Sequence, residues 1–157
     1  MRFLLLLAAL LVPGLAQAGP IAPREGWSIQ ATPHSYERLI ERVKEATLAN
    51  GMGVVTEAGP TKVAAKRGIE IPGNRVIGIF NNDIAVRTLA LSTAAMIEAP
   101  IRLYVTDNGD GSATLSYKLP SHVFAPYVEE AGDALVTIAA DLDARFATIA
   151  TAAVAPE

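Results

Sequence analysis

The chain has 157 residues, 13 basic and 16 acidic side chains for a formal charge of −3, and no cysteine. That length suits one ordinary domain with its own core, and mild acidity without basic clusters gives no electrostatic footprint for nucleic acid. Lack of cysteine removes thiolate catalysis, cysteine metal sites and disulfide staples, which a domain this size can do without.

The N-terminus reads "MRFLLLLAALLVPGLAQAGP". Arg2 precedes an apolar run from Phe3 to Val12, a Pro13-Gly14 break and then Ala16-Gln17-Ala18. These are the three parts of a secretory signal peptide with a small-x-small cleavage site. The run is about half the roughly 20 residues that cross a bilayer, so a cleaved leader is expected over 1–18, with no membrane anchor left afterwards. The expected location is periplasmic or secreted. Arg2 would leave with the leader, making the mature chain one charge more negative. Residues 19–26, "GPIAPREG", form a Pro/Gly-rich linker, and 27–157 is expected to be a single domain.

"WSIQAT" (27–32) alternates apolar Trp27, Ile29 and Ala31 with polar neighbours, the period of a half-buried strand. Ser35 is a helix cap for Tyr36, Leu39, Ile40, Val43 and Thr47 at three- and four-residue spacing, and Asn50-Gly51 stops the helix. "GVVTE" (53–57) is a short strand. Pro60 to Gly68 is a brief helical turn whose Lys62, Lys66 and Arg67 read as a solvated face. "RVIGIF" (75–80) has apolar residues on both faces, so it is expected to be central and covered twice.

Asn81-Asn82-Asp83 can cap a helix from Ile84 to about Glu98, striped by Val86, Leu89, Thr93, Met96 and Ile97 and stopped by Pro100. "IRLYVT" (101–106) and "ATLSYKL" (113–119) alternate. Ile101, Leu103 and Val105 share one face, as do Ala113, Leu115, Tyr117 and Leu119; Arg102, Tyr104, Thr106, Thr114, Ser116 and Lys118 lie on faces that look wet. The last helix, about Glu129 to Ala150, carries the stripe Leu135, Ile138, Leu142, Phe146 and Ile149. Strands and helices grouped in this way, ending in a hairpin and a helix, predict an α+β fold.

"TDNGDGSAT" (106–114) is acidic enough to suggest a calcium loop. Counted from Asp107, the twelfth position is Lys118; counted from Asn108, it is Leu119. A calcium loop of the EF-hand type needs a bidentate glutamate there. Asn-Gly and Asp-Gly between alternating strands are instead the turn residues of a hairpin. No metal site is therefore assigned. The two histidines, His34 and His122, each sit beyond a strand end and could meet at one end of the sheet; no metal-binding spacing such as HExxH or HxH surrounds them. With Tyr117 they are the candidate ligand-binding residues. No serine occupies a nucleophile elbow, and Gly51-Met52-Gly53 lacks the rest of a dinucleotide fingerprint, so no catalytic residue and no cofactor is assigned.

Several blocks resemble the family called domain of unknown function 302. They are "S-Y-E-R" opening the first helix, "N-G-M-G-V-V-T-E", "K-R-G-I-E-I-P", "V-I-G-I-F-N-N", and "A-P-I-R-L-Y-V-T-D-N-G-D-G" leading into "L-S-Y-K-L-P". The resemblance runs from about Ile29 to Tyr127. Asp83 stands where the family usually has proline, and Gly59-Pro60 where many members have an Asp-His pair. The resemblance implies helices packed on an antiparallel sheet, similar to the TATA-box-binding-protein architecture, and no established activity. The expectation is a non-enzymatic exported module for a small ligand or a protein. The alternatives are a metal-dependent or hydrolytic enzyme using His34 and His122, and a purely structural homodimer.

Overall fold

The computed structural model describes residues 21–156; the leader expected at 1–18 lies outside them. Five strands form one antiparallel sheet: β1 (Trp27–Thr32), β2 (Gly53–Ala58), β3 (Asn74–Phe80), β4 (Ile101–Asp107) and β5 (Ala113–Lys118), in the order β1-β5-β4-β3-β2. The fold is α+β. Strands β2 to β5 follow one another as a meander, and β1 adds to the free edge of β5. Helix α1 (Tyr36–Ala49) carries the chain from one edge of the sheet to the other.

One face of the sheet is packed with helices. Leu103 pairs with Tyr117 and Val105 with Leu115, while Ile77 and Ile79 pair with Leu103 and Ile101, so these side chains share that face. All are buried. Over them lie α1, through Leu39, Val43 and Thr47, and the long α6 (Asp133–Val154), through Leu135, Ile138, Leu142, Phe146 and Ile149. Each such buried side chain contributes on the order of 1.5–3 kcal/mol. The sheet edge under α1 is closed by charge: Glu57 bridges Lys44 at 2.5 Å and Arg75 at 3.3 Å.

The local signals act as the residue chemistry dictates. The Ser35 hydroxyl accepts from the Arg38 N–H at the start of α1, and Gly51, at φ +68°, ends it. Asp107 pairs with Ala113 across the hairpin, whose turn uses Gly109 and Gly111 at φ +80° and +88°.

Three expectations change. The single helix expected from Ile84 to Glu98 is α3 (Asn82–Leu91) followed by a separate 3-10 turn (Ala95–Glu98), because the Ser92 hydroxyl accepts from the Ala95 N–H and starts a new turn. Its inward residues are Ile84, Thr88 and Leu91, leaving Val86, Leu89 and Ile97 exposed at 59%, 50% and 79%. The helix expected from Glu129 is divided at Gly132 (φ +69°) into α5 (Val128–Ala131) and α6. Strand β3 is next to the edge strand β2, and β4 holds the centre. Two further short elements, α2 (Thr61–Lys66) and α4 (Pro120–Phe124), flank the sheet.

Candidate functional site

The pairing register of β1 decides what the other face of the sheet looks like. Ser28, Gln30 and Thr32 pair with Tyr117, Leu115 and Ala113, so the polar residues of β1 share the helix-packed face. Trp27, Ile29 and Ala31 therefore point to the opposite face, beside Lys118, Ser116 and Thr114. Residues that pair directly across an antiparallel sheet lie on one side of it. One row on this second face runs Ile29, Ser116, Tyr104, Val76, Ala58 across all five strands. Arg102 pairs with Gly78, which carries the ring of Pro100: a Cβ added at Gly78 would lie 2.8 Å from Pro100 Cγ.

A pocket of about 420 Å³ opens on this face, bordered by Trp27, Val76, Tyr104, Arg102 and Lys118 and reaching Glu98 and Val123 at the sheet end. Small-molecule pockets occupy about 300–1,000 Å³. Between the sheet and the helices a second cavity, lined by Met52, Ile84, Thr88, Phe124 and Phe146 among others, measures about 30 Å³. That is room on the scale of a water molecule or two. The space for a ligand is on the helix-free face.

The pocket is apolar in its floor and charged at its rim. Lys118 Nζ sits 5.8 Å from the centroid of the Trp27 ring, and the Arg24 guanidinium 5.2 Å from it. Both lie within the range of cation–π attraction. Among the described residues neither Arg102 nor Lys118 has an ion-pair partner. Glu98 is held on the far side by a hydrogen bond from the Tyr127 hydroxyl, 2.8 Å. That bond, with the negative charge of Glu98 and Glu130, raises the Tyr127 phenol above its ordinary pKa. Asn74 donates to the Tyr104 hydroxyl and fixes that ring. At the centre of the face Ser116 is fully buried and its hydroxyl has no hydrogen-bond partner.

The three candidate residues read from the sequence scatter. His34 is buried beyond the end of β1, where its Nε2 lies 2.8 Å from the Ala155 carbonyl. Arg42 donates to the carbonyls of Ala152, Ala153 and Ala155 beside it. Together they satisfy the C-terminal carbonyls of α6, which no helix can satisfy internally. His122 is exposed at the other end of β1, against Gly26, where an added Cβ would lie 2.2 Å from its ring atoms. The length of β1 separates the histidines by roughly 20 Å at about 3.3 Å per residue, so they do not share a site. Tyr117 is 3% exposed, its ring 5.4 Å from that of Phe146, and it borders the pocket. Trp27, Arg102, Tyr104 and Lys118 carry no site motif in the sequence; their signal is the alternation of β1, β4 and β5 together with the only tryptophan of the chain.

The acidic loop builds its own turn. Asp107 accepts from the Gly109 N–H and Asp110 from the Ser112 N–H and hydroxyl. The Ser112 hydroxyl, then its N–H, hold the Asp110 carboxyl below its usual pKa. No group of three or more His, Asp or Glu side chains suited to a metal ion occurs among the described residues.

No curated protein matches the chain. In overall fold it is similar to the crystal structure of an uncharacterised conserved DUF302 protein from Bacillus stearothermophilus. The TM-score is 0.73 at 20% identity, over 83% of this chain and 99% of that one. The sequence model of the family described as "Domain of unknown function DUF302" matches residues 28–153. That match covers most of the chain, and the chain belongs to the DUF302 family.

Proposed function

We propose that this chain is a non-enzymatic exported module that binds a small molecule on the helix-free face of its sheet. One observation carries the reading: a pocket of about 420 Å³ with an apolar floor and a few charged groups at its rim, on the face opposite α1 and α6. Large apolar pockets with a few convergent polar groups are where small ligands bind. Separation of the two histidines leaves the hydrolytic alternative without a shared centre, and the cleft between sheet and helices is too small for a metabolite. Export is supported by the leader pattern of residues 1–18.

The test is a thermal-shift screen of metals and small metabolites on the purified protein, read in parallel by tryptophan emission. Trp27 is the only tryptophan and borders the pocket, so its emission reports on this site alone. A ligand at about 100 times its Kd stabilises by about 2.7 kcal/mol, a shift of several degrees. Hits that move both signals, and that Val76→Arg abolishes, support the reading. Hits that raise the melting temperature without touching Trp27 place the ligand elsewhere.

A further inference from the structure

We propose that the ligand is an amphiphilic anion: a carboxylate-type head held by Arg102 and Lys118, and an apolar tail laid over Trp27, Val76 and Tyr104. This rests on the reading of the pocket as a small-molecule site. Two observations point to it.

The first is charge. Arg102 and Lys118 rise from neighbouring strands one residue beyond the Leu103–Tyr117 pair, on the same face of the sheet. Neither meets a carboxylate among the described residues. Arg24 adds a third positive group at the Trp27 ring. Glu98 is the acid of the pocket, and the Tyr127 hydroxyl already donates to it. The chain as a whole is negative, so this concentration of cations with no ion-pair partner among the described residues departs from its surroundings. A planar guanidinium beside an ammonium suits a carboxylate, which can accept from both.

The second is the aromatic surface. A cationic ligand would seek the face of Trp27, but Lys118 and Arg24 already lie over that ring. Like charge excludes a further ammonium there. What remains available around Trp27, Val76 and Tyr104 is apolar area, which suits an uncharged hydrocarbon or aryl body.

The experiment titrates the purified protein with octanoate, octanamide and octylammonium and follows Trp27 emission. The three probes share a chain and differ in head charge. The expected result is saturable binding of octanoate at least about tenfold tighter than octanamide, no binding of octylammonium, and weakening with added salt. Arg102→Gln and Lys118→Gln should each weaken octanoate by about tenfold and octanamide by a much smaller factor. Both residues are exposed, and a melting curve on each variant verifies folding. Glu98→Gln should tighten octanoate. Equal affinity for octanoate and octanamide overturns the anion while sparing the small-molecule reading. Binding of octylammonium alone overturns it in the same way. No Trp27 response to octanoate also overturns the anion, and the pocket falls with it only if the metabolite screen is empty as well. A two-chain mass by light scattering, with Trp27 shielded from a soluble quencher, gives the face to a second copy and overturns the proposal.

Discussion

His34 and Arg42 do one job between them: they donate to the carbonyls at the end of α6. Loss of His34 removes one bond to a helix-terminal carbonyl, whereas loss of Arg42 removes bonds to three residues. His34→Ala should cost about 1–2 kcal/mol and Arg42→Ala somewhat more, while His122→Ala should cost less than about 1 kcal/mol. Urea denaturation of the three variants checks the order. Tyr127 gives a test in pH. Its phenol is held protonated by its bond to Glu98, so its folded pKa lies above the unfolded value of about 10. The stabilisation is complete below that value and is lost as pH rises through the folded pKa. The difference between ultraviolet titrations of the wild type and Tyr127→Phe should have its midpoint above about 10, and the variant should flatten the alkaline loss of stability. At this scale a sequence shows which side chains can do chemistry but not what they touch. His34 is reactive in type, yet its partner lies 121 residues away.

At the scale of elements, legibility follows the strength of the pattern. Helix α6 shows its buried stripe because Leu135, Ile138, Leu142, Phe146 and Ile149 hold one phase over 22 residues. Helix α3 has only 10 residues and apolar groups all round it, so its phase is set by packing and by Ser92 rather than by its own pattern. Strand β1 alternates cleanly, but alternation does not say which side is the core. Pairing of Ser28 with Tyr117 turns the polar side inward, and no local signal encodes that register. The hairpin is legible because its turn chemistry is local. Asp107→Asn together with Asp110→Asn should keep the acceptor oxygens and move the melting temperature by no more than a few degrees, with or without millimolar calcium. A calcium-dependent rise that the double variant loses would restore the ion-site reading.

At the scale of the molecule, one architectural fact organises the rest. A single sheet has two faces, and α1 and α6 both pack on the same one. The other carries Trp27, Ile29, Val76 and Tyr104 beside Arg102 and Lys118, which have no ion-pair partner among the described residues. The α+β class and the family were legible in the order of elements and in the quoted blocks. The pocket was not, because its walls come from β1, β3, β4, β5 and the turn before β4, and only the folded register brings them together. Export belongs to this scale too. The intact mass of protein recovered from the periplasm or medium should begin at Gly19, and a form retaining Met1 to Ala18 would make the leader an anchor. The central claim, that ligand sits on the helix-free face, is tested most directly by mapping backbone amide shifts in nuclear magnetic resonance as octanoate, or the screen's best hit, is added. Shifts are expected at Trp27, Val76, Arg102, Tyr104 and Lys118 with Met52, Ile84 and Thr88 unmoved; shifts at Met52, Ile84 and Thr88 with the sheet face silent would place the ligand between sheet and helices instead.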